Sequence, residues 1–442
     1  MVVGVLSAWM NGEHVGMWRV DRGSHTFAYA TSWLASEKAR PLSLSLPLTP
    51  TLSITGPVVE NYFDNLLPDN DRIRERIGRR FSTRSLDAFA LLEAIGRDCV
   101  GAVQLLPEGT TPDGWDRILS EPLNDAEIAA ALRSVPTDPA GAVRDGTPPF
   151  RISLAGAQEK TAFAHIGGSW CRPLGATPST HIFKLPLGVI ANTSRIDMFD
   201  SVENEWLCAQ IIQALGLPAA RTDMATFGDQ RALIVERFDR EWAPDGRWII
   251  RLPQEDFCQA FGLPPRLKYE DDGGPSVSDG LALLAGSSDA GTDRLAFQLA
   301  QLAFWLMAAP DGHAKNFSIF LRQGNAYDMT PLYDVLSIWP YVGKKSGQLH
   351  LRDVRLAMAL RSKNAHYDLY TIRARHWHAL ARRNGGLAVW AAMIAFVEGV
   401  GDALDAVESR LPDGFPERIW EPVSLGMRKQ AELFLSEAAA PI

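Results

Sequence analysis

The sequence predicts an α+β protein in which a small α/β unit is followed by a strand-rich segment and then by a mainly helical one. Three observations predict it. Between about residues 150 and 250, short apolar runs alternate with small and polar residues, as at 151–163, 180–186 and 232–239. Beyond about residue 255 the apolar positions fall at helical spacing, and the almost unbroken apolar run 295–309 reads as a buried core helix. Residues 107–148 carry Pro107, Gly109, Pro112, Gly114, Pro136, Pro139, Gly141, Gly146 and Pro148, the composition of a connection between domains. The expected division is therefore 1–106, a linker with one short helix at 107–148, 149–255, and 256–442.

The totals narrow the class. At 442 residues, 46% apolar and 22% charged, the chain has the composition of an ordinary globular protein with room for two or three cores. A net charge of −8 argues against a surface that binds nucleic acid as a whole, so DNA contact is expected mainly through a partner. Cys99, Cys171, Cys208 and Cys258 are scattered, with no Cys-x-x-Cys pair, and read as buried reduced thiols. The N-terminal residues turn polar at Asn11-Gly12-Glu13, and no apolar run reaches the roughly 20 residues that span a bilayer, so a cytoplasmic location without membrane contact is expected.

Taken in order, 2–10 and 13–20 flank Asn11-Gly12, a favoured hairpin turn. Leu42-Ser43-Leu44-Ser45-Leu46 alternates with the period of a half-buried strand. Helical periodicity follows at 58–67 and 86–95, around the charged run 71–80, which reads as a solvated helix face or a docking surface. A short helix is expected at 124–135.

The stretch 151–163 reads as strand, small-residue loop, strand. Small residues at Ala155, Gly156 and Ala157 permit close backbone approach to phosphates, though an ordinary β-turn has the same look. In 180–186, Lys184 lies within an apolar strand and needs an anionic partner or an escape to water. Ser201 is placed to cap a helix ended by Gly216 and Pro218, with Glu203 and Glu205 in its first turn. The strand at 232–239 ends in polar residues where a hinge between two lobes would lie. Helices are expected near 365–381, 386–404 and 425–437.

Chemistry gathers after the buried run, at Asp311-Gly312-His313-Ala314-Lys315-Asn316 and Tyr333-Asp334. Kinase catalytic loops place a base Asp five residues before a metal-binding Asn, with a second metal-binding Asp farther on. Asp311, Asn316 and Asp334 keep that order and that step of five. Their carboxylate and amide oxygens suit Mg2+. By itself the spacing arises by chance in many chains. The order of strands first and helices afterwards gives it the setting of a two-lobed protein-kinase-like fold.

The strings 151–163, 180–186, Val235-Glu236-Arg237-Phe238-Asp239-Arg240, Arg251-Leu252-Pro253-Gln254-Glu255-Asp256, 311–317 and Tyr333-Asp334 together resemble the HipA family of toxin serine/threonine kinases. Pro41-Leu42-Ser43-Leu44-Ser45-Leu46-Pro47, Phe63-Asp64-Asn65-Leu66-Leu67-Pro68 and Glu93-Ala94-Ile95-Gly96-Arg97-Asp98 extend the resemblance to the N-terminal unit. The resemblance implies ATP and Mg2+ as cofactors. It makes Asp311 the catalytic base and Asn316 and Asp334 the metal ligands. It gives nucleotide contacts to Ala155, Gly156, Ala157, Gln158, Glu159, Lys160, Lys184, Glu236, Phe238, His313, Lys315 and Tyr333. It also makes Ser153 an autophosphorylation position whose modification expels the phosphate loop. The implied target is an aminoacyl-tRNA synthetase, best known for glutamyl-tRNA synthetase, whose loss arrests growth and is linked to persistence. The implied partner is a HipB-type helix-turn-helix antitoxin that carries the complex to operator DNA and represses the operon. Pro310, where the family leads one to expect a small polar residue, departs from the pattern and should stiffen the entry to the loop. The competing readings are an ATP-binding, weakly active corepressor and a metal-dependent phosphohydrolase.

Overall fold

The computed structural model describes residues 4–49, 53–136, 155–156, 158–190 and 196–439. The chain divides into two compact units: Met1–Leu185 with Ala225–Leu267 and Ser318–Tyr327, and Pro186–Met224 with Lys268–Phe317 and Asp328–Ile442.

In the first unit Gly4–Met10 and Glu13–Asp21 form the expected hairpin, with Asn11 and Gly12 both at positive φ. They lie in a five-stranded antiparallel sheet in the order Ile54–Thr55, Ser24–Tyr29, Glu13–Asp21, Gly4–Met10, Val103–Pro107. Helices Pro57–Asp64 and Ala88–Ile95 supply Phe63 and Phe89 to its core. There Trp18 stacks on Phe63 at 4.0 Å and meets the edge of Phe89 at 5.0 Å. The charged run forms the helix Asp71–Phe81, capped by Asn70, but Arg74 turns inward to Asp64 at 2.6 Å and Arg76 pairs with Glu159. It is thus not a purely solvated face.

The alternating leucines at 42–46 do not form a strand. They make a tight turn bridged from Ser43 to Leu46, because the backbone groups are taken by side chains. Leu44 N–H donates to Glu255 at 2.8 Å, Leu42 N–H to the Tyr29 hydroxyl at 2.7 Å, and the hydroxyls of Ser43 and Ser45 to the Gln259 carbonyl.

A second, six-stranded sheet follows the order Thr222–Phe227, Gln230–Glu236, His181–Lys184, Lys160–Ile166, Ser169–Pro173, Ser120–Pro122; only the last three residues of the first strand belong to this unit. The helix expected inside the linker is present at Asp125–Ser134, with a capping box at Asn124 and Glu127. It lays Ile128 and Leu132 against Phe163, Phe183 and Ile234, so part of the expected connection belongs to this core.

The second unit is helical around Trp305, Trp377 and Phe434. The apolar run forms Ala290–Met307, fully buried over its last turns. Three expectations fail here. Residues 365–381 are not one helix: Ala365–Asp368 pairs as a strand with Arg355–Arg361 after a polar turn, and the helix is Ala374–Asn384. Residues 386–404 break at Gly399 into Gly386–Glu398 and Val400–Glu408. Ser201 is not the cap: its hydroxyl accepts from Leu187 N–H at 2.9 Å, and the cap position is Asp200, clamped by Arg418 at 2.6 and 2.7 Å. By length and composition alone 386–408 passes for a membrane span, unlike any run foreseen from the sequence; its Gly386–Glu398 part packs against Ala374–Asn384 and Glu417–Ala438.

Candidate active site

Each unit carries its own set of the expected site residues. In the first, Lys184 ends the strand His181–Lys184, which lies between Lys160–Ile166 and Gln230–Glu236, and it is buried at 6% exposure. It does not snorkel from an edge. Lys160 is its cross-strand partner. Two like charges directly opposite are unfavourable on a sheet.

The loop before Lys160 is held from several sides. Gln158 Nε2 donates to the Leu185 carbonyl at 2.6 Å and Leu185 N–H to the Glu159 carbonyl at 3.1 Å, tying the loop to the Lys184 strand. Asp69 N–H donates to the Gly156 carbonyl at 3.2 Å, and Lys160 Nζ to the Ala155 carbonyl at 2.5 Å. Gly156 has φ +102°, and a Cβ there would stand 2.7 Å from Lys160 Nζ, so only glycine serves. Ser153 and Ala157 lie outside the described residues. Glu236 is exposed at the end of its strand, Arg237 N–H donates to the Thr180 carbonyl at 2.9 Å, and Phe238 sets its ring edge-on to Phe320 at 5.8 Å.

Behind that strand end lies a buried ionic cluster not assigned from the sequence. Arg237 grips Asp239 with two bonds of 3.0 and 2.9 Å. Asp98 meets Arg237, Arg240 and Arg251 at 3.1 to 3.4 Å and accepts from Ser179. Burial opposes ionisation of Asp98, but the three guanidiniums outweigh it and hold its carboxyl far below the ordinary range. Burial draws Arg251 down to about 10. The five charged residues fall in strings that carry the family resemblance, yet long-range pairing has no local sequence signal.

In the second unit the helix Ala290–Met307 stops at Ala308, with φ 48°, and Pro310 follows where a chain commonly leaves a helix. The Pro310 carbonyl accepts from Ala357 N–H at 2.9 Å, which fixes the entry to the turn. Gly312 must be glycine, since a Cβ would lie 2.4 Å from the Phe304 ring. His313, Lys315 and Asn316 are buried, while the Asp311 side chain is 56% exposed.

Asn316 Nδ2 donates to the Asp311 carbonyl at 2.7 Å, which fixes the amide and leaves its oxygen as the acceptor of that side chain. Tyr333 donates its hydroxyl to the Lys315 carbonyl at 2.8 Å, and Leu332 is tied to Pro218 and Ala220 by backbone bonds of 2.9 and 2.8 Å. Asp334 then sits at φ 62°, a left-handed conformation that costs a non-glycine residue on the order of 1 kcal/mol. An amide oxygen and a carboxylate fit Mg2+, which takes few protein ligands and completes its shell with phosphates and water. Among the described residues no cluster of three or more His, Cys, Asp or Glu side chains offers a complete metal cage. One residue of this turn was missed from the sequence: Tyr269 donates its hydroxyl to Asp311 Oδ1 at 2.7 Å. Nothing in the sequence around it sets it apart.

Comparison with known proteins identifies the family. Residues 6–106 match the HipA N-terminal domain and residues 152–409 the HipA-like C-terminal domain. The putative kinase Y4mE of Sinorhizobium fredii is 36% identical over 346 residues, 77% of this chain and 79% of that protein. The serine/threonine-protein kinase toxin HipA of Shewanella oneidensis is 30% identical over 351 residues, covering 74% of this chain and 73% of that one. A chain in the Shewanella oneidensis complex of HipA, HipB and operator DNA shares the fold with a TM-score of 0.78, over 98% of this chain and 97% of that chain, at 24% identity. The expected α+β kinase-like fold is therefore the observed one, and the chain belongs to the HipA family of serine/threonine kinase toxins.

Proposed function

We propose that the chain is an ATP- and Mg2+-dependent protein kinase that phosphorylates a serine of an aminoacyl-tRNA synthetase, glutamyl-tRNA synthetase being the first to test, and so halts translation. The observation that carries this reading is the bond from the Asn316 amide to the Asp311 carbonyl, which joins the candidate ligand and the exposed candidate base in one turn. In this reading 1–106 is the N-terminal domain, 107–148 a connection, 149–255 the ATP-facing lobe and 256–442 the catalytic lobe. Lys184, Lys160 and the loop 155–160 serve the phosphates, and Glu236 and Phe238 meet adenine through their backbone. His313, Lys315 and Tyr333 line the nucleotide side of the catalytic turn.

Asn316 and Asp334 would hold Mg2+, which would supply positive charge against the phosphates of ATP. Asp311 accepts the proton of the substrate hydroxyl while that oxygen bonds to the γ-phosphorus and the bond to the β–γ bridging oxygen breaks, releasing phosphoserine and ADP. The same reading makes Ser153 the autophosphorylation site, and gives the chain a HipB-type antitoxin partner with which it represses its operon. The net charge of −8 supports leaving operator contact mainly to that partner.

The test is incubation of the full chain with labelled ATP and Mg2+, alone and with glutamyl-tRNA synthetase, beside Asp311→Asn. Label on Ser153 or the synthetase that disappears in the variant is expected. Label released only as orthophosphate, or none, removes the kinase reading for this chain.

A further inference from the structure

We infer that Tyr269 is a positioning residue for the proposed base, holding the Asp311 carboxylate in one orientation so that Oδ2 is left for the substrate hydroxyl; this rests on the kinase reading above. The segment bearing Tyr269 is fixed on both sides. On one side the Lys268 carbonyl accepts from Ala314 N–H, inside the catalytic turn, at 3.1 Å. On the other, Glu270, with its side chain 3% exposed, accepts from Ala359 N–H at 2.7 Å and from Arg361 Nε at 2.9 Å. Between these anchors the Tyr269 ring stands edge-on to His313, centroids 5.0 Å apart and planes at 83°. Its hydroxyl then donates to Asp311 Oδ1 at 2.7 Å.

That bond has a chemical consequence. The terminal torsion of an aspartate is broad, so a carboxylate 56% exposed swings its plane through a wide range of angles unless a donor holds one oxygen. A hydroxyl on a rigid anchor does so through a charge-assisted bond, and catalytic geometry is sensitive to displacements of an ångström. His313 Nε2 stands 3.8 Å from Oδ2, beyond hydrogen-bonding distance, so Oδ1 is the oxygen committed to the protein in this turn.

The experiment compares full-length wild type with Tyr269→Phe, which keeps the ring against His313 and removes only the donor. Steady-state transfer to glutamyl-tRNA synthetase, MgATP binding by calorimetry and thermal melting are measured on both. The expected result is a kcat lower by roughly tenfold, with KM for ATP and the melting temperature unchanged, the order expected for one lost positioning bond. An unchanged kcat overturns the inference. So does a raised kcat, which would make the hydroxyl an occupant that blocks substrate, and so does a fall traced entirely to weaker folding or ATP binding. A wild-type chain that binds MgATP but transfers no phosphate overturns the kinase reading and this inference together, whereas active wild type with an equally active Tyr269→Phe overturns the inference alone.

Discussion

Asp98 and Asp311 are both hydrogen-bonded aspartates, and their surroundings differ in what they leave open. The Asp98 side chain is 7% exposed and meets three guanidiniums and both the hydroxyl and backbone N–H of Ser179, so no oxygen is left for a ligand. The Asp311 side chain is 56% exposed, with one oxygen held by Tyr269 and the other open. A carboxylate closed off by fixed cations keeps structure, because every state of its charge is already committed. A carboxylate held on one side and open on the other can take up a proton from a third party.

That contrast predicts a crossing of phenotypes. Asp311→Asn should lower phosphate transfer by about 10^2- to 10^4-fold and leave the melting curve in place. Asp98→Ala should leave three buried arginines short of a counter-charge and cost about 3–5 kcal/mol in urea unfolding, with transfer by the folded fraction retained. If Asp98→Ala unfolds like wild type, the sealed cluster does not hold the first unit together. A smaller effect probes the turn itself. Gly312→Ala drives a methyl to 2.4 Å from the Phe304 ring, so about 1–3 kcal/mol of destabilisation is expected together with slower transfer. Transfer lost without any change in melting would place Gly312 in chemistry rather than packing.

The two aspartates also differ in how far the sequence revealed them. The spacing of Asp311, Asn316 and Asp334 stands out in the sequence because it is local, and the structure ties Asn316 to Asp311 by a backbone bond. The hairpin at Asn11-Gly12 and the buried helix before Asp311 were legible for the same reason, a local period or turn residue. Tyr269 stands 42 positions before Asp311, and Asp98 stands 139 before Arg237, so no window along the chain contains either pair. Leu42-Ser43-Leu44-Ser45-Leu46 shows the converse error. A period of two was present, but distant side chains from Glu255 and Tyr29 claimed the backbone groups a strand would have shared.

Glu255 extends the comparison to an acid that burial reaches without a guanidinium to answer it. Burial pushes its carboxyl up from an ordinary 4.5 to about 8, offset only in part by the bond from Leu44 N–H. For Asp98 the lowered value means its stabilisation is fully present above the ordinary carboxylate range and lost only as pH falls below it, so it contributes no slope between pH 5 and 8. Glu255 has the opposite sign: the folded state keeps a proton that the unfolded state releases above about 4.5, so its stabilisation falls as pH rises toward 8. His181 and His376, each drawn down to about 4 chiefly by burial, tilt stability the other way, since theirs is present above their ordinary 6.5 and lost as pH falls toward 4. The total curve therefore mixes the signs, and only a difference between variants isolates Glu255. Unfolding of Glu255→Gln measured against wild type should show the variant gaining about 1 kcal/mol per pH unit between pH 5 and 7, with the histidine contributions cancelling. A flat difference over that range would mean that Glu255 is ionised in the folded chain, and that burial without an arginine is not enough to keep an acid protonated beside the 42–46 turn.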